Sequence, residues 1–87
     1  MNKRIVWTNI AWQQFIDCLS EDRRLIKRIN DLIRDICRNG MTEGIGKPEI
    51  LKYRKAYSRR ISEEHRLVYT QDENGDLLIL SCKGRYK

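Results

Sequence analysis

The sequence predicts an α+β fold: a small, twisted, mainly antiparallel sheet with an N-terminal helical hairpin packed on one face, in the order β-α-α-β-β-β-β. Two observations lead there. Apolar residues recur at helical spacing through the first part of the chain, whereas the second part breaks into short apolar and aromatic runs separated by turn residues. A length of 87 residues, with one Pro and five Gly, leaves few breaks and little room for a second core. Residues 1–87 are therefore expected to form a single domain.

Lys3 to Trp7 has strand character through Ile5, Val6 and Trp7. Thr8 and Asn9 are suited to cap a helix, and Trp12, Phe15, Ile16 and Leu19 then recur at helical spacing. Ser20-Glu21-Asp22 restarts a helix with acids in its first turn, where the dipole favours them. Leu25, Ile26, Ile29, Leu32, Ile33 and Ile36 form its apolar stripe, and Arg38-Asn39-Gly40 closes it. Such a hairpin has one apolar face that needs a sheet to cover it. Met41 to Glu49 reads as loop. Leu51–Tyr53, Tyr57–Ser62, His65–Thr70 and Leu77–Cys82 are expected as strands, the last two joined by a turn around Asn74-Gly75. With both helices on one side, the other face of the sheet is left for water or a ligand.

The charge balance is 18 basic to 12 acidic residues, net +6. It is uneven: Lys47 to Arg66 carries Lys47, Lys52, Arg54, Lys55, Arg59, Arg60 and Arg66 against three acids. A surface of this kind attracts polyanions, nucleic acid foremost. Cys18, Cys37 and Cys82 are odd in number and lack CxxC spacing, so disulfide scaffolds and zinc sites are unsupported and buried, reduced thiols are expected. No ligand cluster points to a metal or other cofactor. No apolar run approaches a membrane span and the start lacks an apolar signal region, so a cytoplasmic location is expected.

Two segments carry a more specific signal. Gly46-Lys47-Pro48-Glu49-Ile50-Leu51-Lys52 resembles the GKPEPLK element of YoeB/Txe-type toxins, part of the RelE/ParE toxin superfamily of type II toxin–antitoxin systems. Tyr57-Ser58-Arg59-Arg60-Ile61-Ser62-Glu63-Glu64-His65-Arg66-Leu67-Val68-Tyr69 resembles their WSRRITEEHRLVY segment. Ile5-Val6-Trp7, Trp12 and the second helix also fit, so the resemblance runs nearly the length of the chain. It implies a ribosome-dependent endoribonuclease that cuts mRNA in the ribosomal A site. The partners implied are the ribosome with its rRNA and a cognate YefM/Phd-like antitoxin. A toxin homodimer is compatible with it, and no membrane is involved.

The residue types suit that chemistry independently. Cleaving RNA without a metal uses the 2′-hydroxyl as nucleophile. It needs a base for that proton, cations around the phosphorane and an acid for the departing 5′-oxygen. Glu49 is the expected base. Arg60 and Arg66 are the expected phosphate clamps, because a guanidinium offers a planar fork and keeps its charge. A two-residue turn at Glu63-Glu64 would place these arginines on opposite faces, whereas a turn of odd length sets them side by side. The resemblance implies convergence, hence a turn of three or five residues. Lys47, Lys52, Arg59 and Tyr57 are expected to bind RNA or phosphate. Tyr53, Tyr57 and Tyr86 are suited to stack on bases, with core packing the alternative for Tyr57. His65, the single histidine, reads as structural, since neighbours on a strand point to opposite faces.

The C-terminus departs from the family pattern. The toxins close with His-Tyr, where this chain has Arg85-Tyr86. Arginine is a poor proton donor. Arg85 and Tyr86 are therefore expected to contribute charge stabilisation and, through Tyr86, water or a ribosomal group, the proton. The alternative is a catalytically weakened homologue that binds the ribosome or the antitoxin without cleaving.

Overall fold

A computed structural model describes residues 4–52 and 54–84 of the chain. The elements follow the expected order: β1 (Ile5–Trp7), α1 (Asn9–Glu21), α2 (Arg23–Asn39), β2 (Glu49–Ile50), β3 (Tyr57–Arg60), β4 (Arg66–Gln71) and β5 (Leu77–Ser81). The sheet runs β1-β5-β4-β3-β2, with β1 parallel to β5 and the other pairs antiparallel. The helical hairpin carries the chain across one face, from β1 at one edge to β2 at the other, and the three antiparallel turns back bring β5 parallel to β1.

Thr8 caps α1, its hydroxyl accepting from the Ala11 N–H at 3.0 Å. The first helix is longer than its apolar pattern suggested and takes in Ser20 and Glu21. Asp22 is then the hinge: its N–H donates to the Cys18 carbonyl, closing α1, and its carboxylate accepts from the Arg24 N–H, opening α2. The acids expected inside the first turn of α2 lie before it instead. Gly40, at φ 99°, ends α2 with its N–H on the Ile36 carbonyl.

The two helices differ in how much of their apolar surface the sheet covers. Ile29, Leu32, Ile33 and Ile36 of α2 are buried against Leu67, Tyr69, Leu77 and Ile79, and this is the main core. On α1 the buried positions are Ala11 and Cys18, while Trp12 is 50% exposed and Ile16 and Leu19 are also exposed. The expected apolar face of α1 is thus only partly used, since the helix lies at the β1–β5 side and leans on Trp7 through Trp12 and Phe15. Of the cysteines, Cys18 and Cys82 are buried, but Cys37 is exposed, contrary to expectation. It lies one residue past Ile36, off the stripe that faces the sheet.

Alternation along the strands sorts their side chains. Arg59 and Tyr57 of β3, Leu67 and Tyr69 of β4, and Leu77 and Ile79 of β5 face the helices. Ser58, Arg60, Arg66, Val68 and Leu80 face the other side. There a small cluster of Val68, Leu51, Ala56 and Leu80 forms where the β2–β3 connection folds over the sheet. This explains why β2 is shorter and earlier than the expected Leu51–Tyr53. Leu51 turns its side chain into that cluster, and its N–H donates to the Ala56 carbonyl at 3.0 Å, closing a loop rather than extending a ladder. Tyr53 lies outside the described residues. One extra residue, Leu80, interrupts the β4–β5 register between Val68↔Ser81 and Tyr69↔Ile79. Among the described residues, no helix is long and apolar enough to cross a membrane.

Candidate functional site

The open face of the sheet carries Glu49, Arg60 and Arg66. In the antiparallel ladders Glu49 lies opposite Ser58, Ser58 opposite Val68, and Arg60 opposite Arg66. Directly opposed residues share a face, and residues two apart on a strand share it too. Glu49, Arg60 and Arg66 therefore stand on one face in two adjacent rows: the carboxylate in one, both arginines in the next. The connection between the arginines, residues 61–65, is five residues long, so it has the odd length that brings them together. It is closed by the N–H groups of Ile61 and Ser62 on the His65 carbonyl, and by the Ser62 hydroxyl accepting from the N–H groups of Glu64 and His65.

The two arginines are held differently. The Arg66 guanidinium is half-buried and donates to the carbonyls of Ser62, at 2.9 Å, and His65, at 3.3 Å. The turn thus aims it. Arg60 is exposed, and its backbone is fixed instead: its N–H donates to the Gly46 carbonyl at 2.6 Å and its carbonyl accepts from Arg28 at 3.3 Å. Among the described residues, neither Glu49 nor the Arg60 guanidinium is in an ion pair. Both are exposed, so both are accessible from solvent. Lys47, at φ 51°, and Lys52 are also exposed and bracket Glu49 in sequence.

Arg59 is not available to RNA, which corrects the expectation for it. It is 0% exposed, on the helix side of β3. Its Nε donates to the Tyr69 hydroxyl at 2.9 Å, and Nη1 to the Asp35 carboxylate and the Ile45 carbonyl. Nη2 donates to the carbonyls of Gly40 and Glu43 at 2.8 and 2.6 Å. Burial of a guanidinium demands this degree of pairing. The arginine beside it in sequence meets the opposite fate because consecutive strand residues point to opposite faces. The Asp35 carboxyl is held below the usual carboxylate range, first by its hydrogen bond from Arg59 and further by the Ile45 N–H. Burial pushes the Tyr69 phenol up.

For Tyr57 the structure favours the core-packing alternative. It lies on the helix side, half-buried, with its ring stacked on Tyr69 at 5.8 Å between centroids, so core packing accounts for it and it does not share the face of Glu49. Burial likewise pushes the Cys82 thiol up to about 12, which leaves it protonated rather than nucleophilic.

His65 has a role that the sequence only hinted at. Its Nδ1 accepts from the Gly84 N–H at 2.8 Å, while the Gly84 carbonyl accepts from the Arg66 N–H at 3.0 Å. The residue preceding Arg85 is therefore fastened at both its amide and its carbonyl beside Arg66. Accepting at Nδ1 leaves the proton of a neutral ring on Nε2. Arg85 and Tyr86 themselves lie outside the described residues. Among the described residues no group of three or more His, Cys, Asp or Glu side chains is arranged to hold a metal ion.

Comparison with known proteins bears on the fold and the family. The family described as the YoeB-like toxin of bacterial type II toxin-antitoxin systems matches residues 7–86. Toxin YoeB of a Synechocystis strain is 45% identical over 86 residues, covering 97% of this chain and 98% of that protein. Toxin YoeB of Escherichia coli strain K12 is 41% identical over 85 residues, covering 95% and 99%. Among solved structures, the YoeB dimer from Staphylococcus aureus superposes with a TM-score of 0.91 at 42% identity, covering 99% of this chain and all of that one. The heterotetrameric YoeB–YefM toxin–antitoxin complex from Staphylococcus aureus gives 0.87 at 44% identity, with 99% and 100% covered. A family match from residue 7 to residue 86, with relatives and a fold shared along almost the whole length, leaves one assignment: the chain belongs to the YoeB-like family of bacterial type II toxin–antitoxin toxins.

Proposed function

We propose that this toxin is a ribosome-dependent endoribonuclease that cleaves mRNA in the ribosomal A site by attack of the RNA's own 2′-hydroxyl, without a metal. The observation that carries the reading is the shared face of Glu49, Arg60 and Arg66. Glu49 takes the proton from the 2′-hydroxyl, which then attacks the adjacent phosphorus. Arg60 and Arg66 neutralise the charge gathering on the non-bridging oxygens of the phosphorane, and Lys47 and Lys52 bind flanking phosphates. The 5′-oxygen leaves with a proton. Arg85 stabilises charge at the end of the reaction path, and Tyr86, a water or a ribosomal group supplies that proton. The products are a 5′-hydroxyl end and a 2′,3′-cyclic or 3′-phosphate end.

The remaining partners follow from the relatives. A YefM/Phd-like antitoxin restrains the toxin, and a homodimer forms as in the Staphylococcus protein described as a YoeB dimer. The toxin acts in the cytoplasm, where its ribosome is, as one domain spanning residues 1–87. A second reading has one specific observation behind it, Arg85 where the family has a histidine: a weakened homologue that occupies the A site without cutting.

Primer extension on translating ribosomes separates the two. Wild type should give new 5′ ends within the A-site codon. Glu49→Gln should lose about 10²–10⁴-fold of that activity, the usual worth of a general base. Arg85→His should cut at least as fast as wild type. Ribosome stalling without new ends would favour the binder, and a Glu49→Gln protein that cuts like wild type would remove Glu49 from its role.

A further inference from the structure

The connection from α2 to β2, residues 40–48, contains no helix and pairs with no strand, yet it delivers Glu49 into register opposite Ser58. A segment of this kind needs partners for its backbone groups. A single side chain supplies three of them. The carbonyls of Gly40, Glu43 and Ile45 all accept from the Arg59 guanidinium. Asp35, which that guanidinium neutralises, accepts from the Ile45 N–H at 3.0 Å, and the Tyr69 hydroxyl passes from Arg59 Nε to the Met41 carbonyl at 2.6 Å. The connection is built to sit this close. A Cβ at Gly44 would lie 2.9 Å from Arg59 Nη1 and closer still to the Asp35 carboxylate, and one at Gly46 would lie 2.7 Å from Leu32 Cδ2. The connection ends on the Gly46 carbonyl, which accepts from the Arg60 N–H.

We infer that Arg59 is a positioning residue: with Asp35 and Tyr69 it holds residues 40–46 in the one shape that sets the Glu49 carboxylate and the Arg60 guanidinium on the same face. The inference rests on the proposed cleavage reaction for its kinetic consequence but not for its structural one. Arg59 touches no substrate, because it lies beneath the sheet, and it acts through the backbone that it gathers. Lysine in its place keeps the charge opposite Asp35 but has a single donor centre, which cannot span acceptors distributed around a planar fork.

The test is Arg59→Lys, read in two ways on purified, folded toxin. Amide exchange should accelerate at Ile45 and Arg60 by about tenfold, while the amides of α1 stay as in wild type. On translating ribosomes, kcat should fall by up to about 10²-fold with KM within about threefold, as expected when a reacting group is misplaced rather than removed. If Arg59→Lys fails to fold, Tyr69→Phe keeps the ring and cuts the Met41 link, and the same local exchange increase should appear at about threefold. Unchanged exchange at Ile45 and Arg60 would overturn the inference, as would a rise spread equally over α1 and the sheet. If the wild type does not cut ribosome-bound mRNA, the cleavage proposal fails and the exchange result alone decides the positioning role.

Discussion

Arg59 and Arg60 are the same residue type at consecutive positions of one strand, and the two faces of the sheet treat them as opposites. On the helix side a guanidinium is sealed off and every polar edge is matched: Asp35, Tyr69 and three loop carbonyls surround it. On the open side the Arg60 guanidinium has no ion-pair partner among the described residues and stands in the row next to an equally unpaired carboxylate. The lesson concerns where a protein spends its polar contacts. A charge satisfied internally builds structure, and one exposed to solvent is free to meet a ligand. The same division runs through the histidine and arginine of the turn: His65 accepts a backbone N–H from Gly84, while Arg66 is aimed by carbonyls that occupy only part of its donor set.

Identical substitutions at the two neighbouring positions separate the two faces most strongly. Arg59→Met should lower the free energy of unfolding by about 3–5 kcal/mol, the cost of leaving a buried pair half-made, measured by urea titration. Arg60→Met should leave the urea midpoint within about 0.5 kcal/mol of wild type and cost about 10²–10³-fold in A-site cleavage. Two variants of equal stability would mean that the faces do not differ as described.

A smaller effect is expected at the turn. His65→Phe keeps a ring but removes the acceptor for the Gly84 N–H, which is partly exposed and can turn to water. Stability should fall by no more than about 1 kcal/mol, exchange at the Gly84 amide should accelerate, and cleavage should drop by about tenfold as Gly84 loosens beside Arg66. Cleavage at the wild-type rate with a freely exchanging Gly84 would show that the fastening has no bearing on the site.

The smallest effect is a dependence on acidity confined to the helix side. The Asp35 carboxyl titrates lower in the folded protein than in the unfolded chain, because Arg59 and the Ile45 N–H favour its charged form. Its contribution is therefore complete above the ordinary carboxylate value of about 3.9 and is lost as pH falls through the depressed folded value. The urea midpoint of Asp35→Asn should lie below that of wild type at neutral pH, and the gap should close on acidification. A gap that persists unchanged into strong acid would mean that the carboxylate's charge is not what the network uses.

Much of the fold was legible before any coordinates. The apolar stripe of α2, the Thr8 cap, the turn around Asn74-Gly75 and the element order all follow from local patterns, because helix spacing and turn chemistry act over a few residues. The same locality explains the errors. Leu51 looked like a strand residue, but its burial depends on Ala56, Val68 and Leu80 rather than on its neighbours. The apolar run of α1 looked like a core face, yet how far a helix is covered depends on where it crosses the sheet, and Trp12, Ile16 and Leu19 remain exposed.

For the site, the motif residues Glu49, Arg60 and Arg66 were readable as a set through the family resemblance, which implied that the two arginines converge and hence a turn of odd length; the five residues 61–65 have that length. Strand alternation alone dictated that Arg59 and Arg60 point opposite ways. It could not say which of them the helices would bury, because that answer belongs to Asp35, 24 residues earlier on α2 and brought near only by packing. Short-range periodicity is written in the chain itself. The partner of a buried charge comes from a distant segment, and only the folded molecule chooses it.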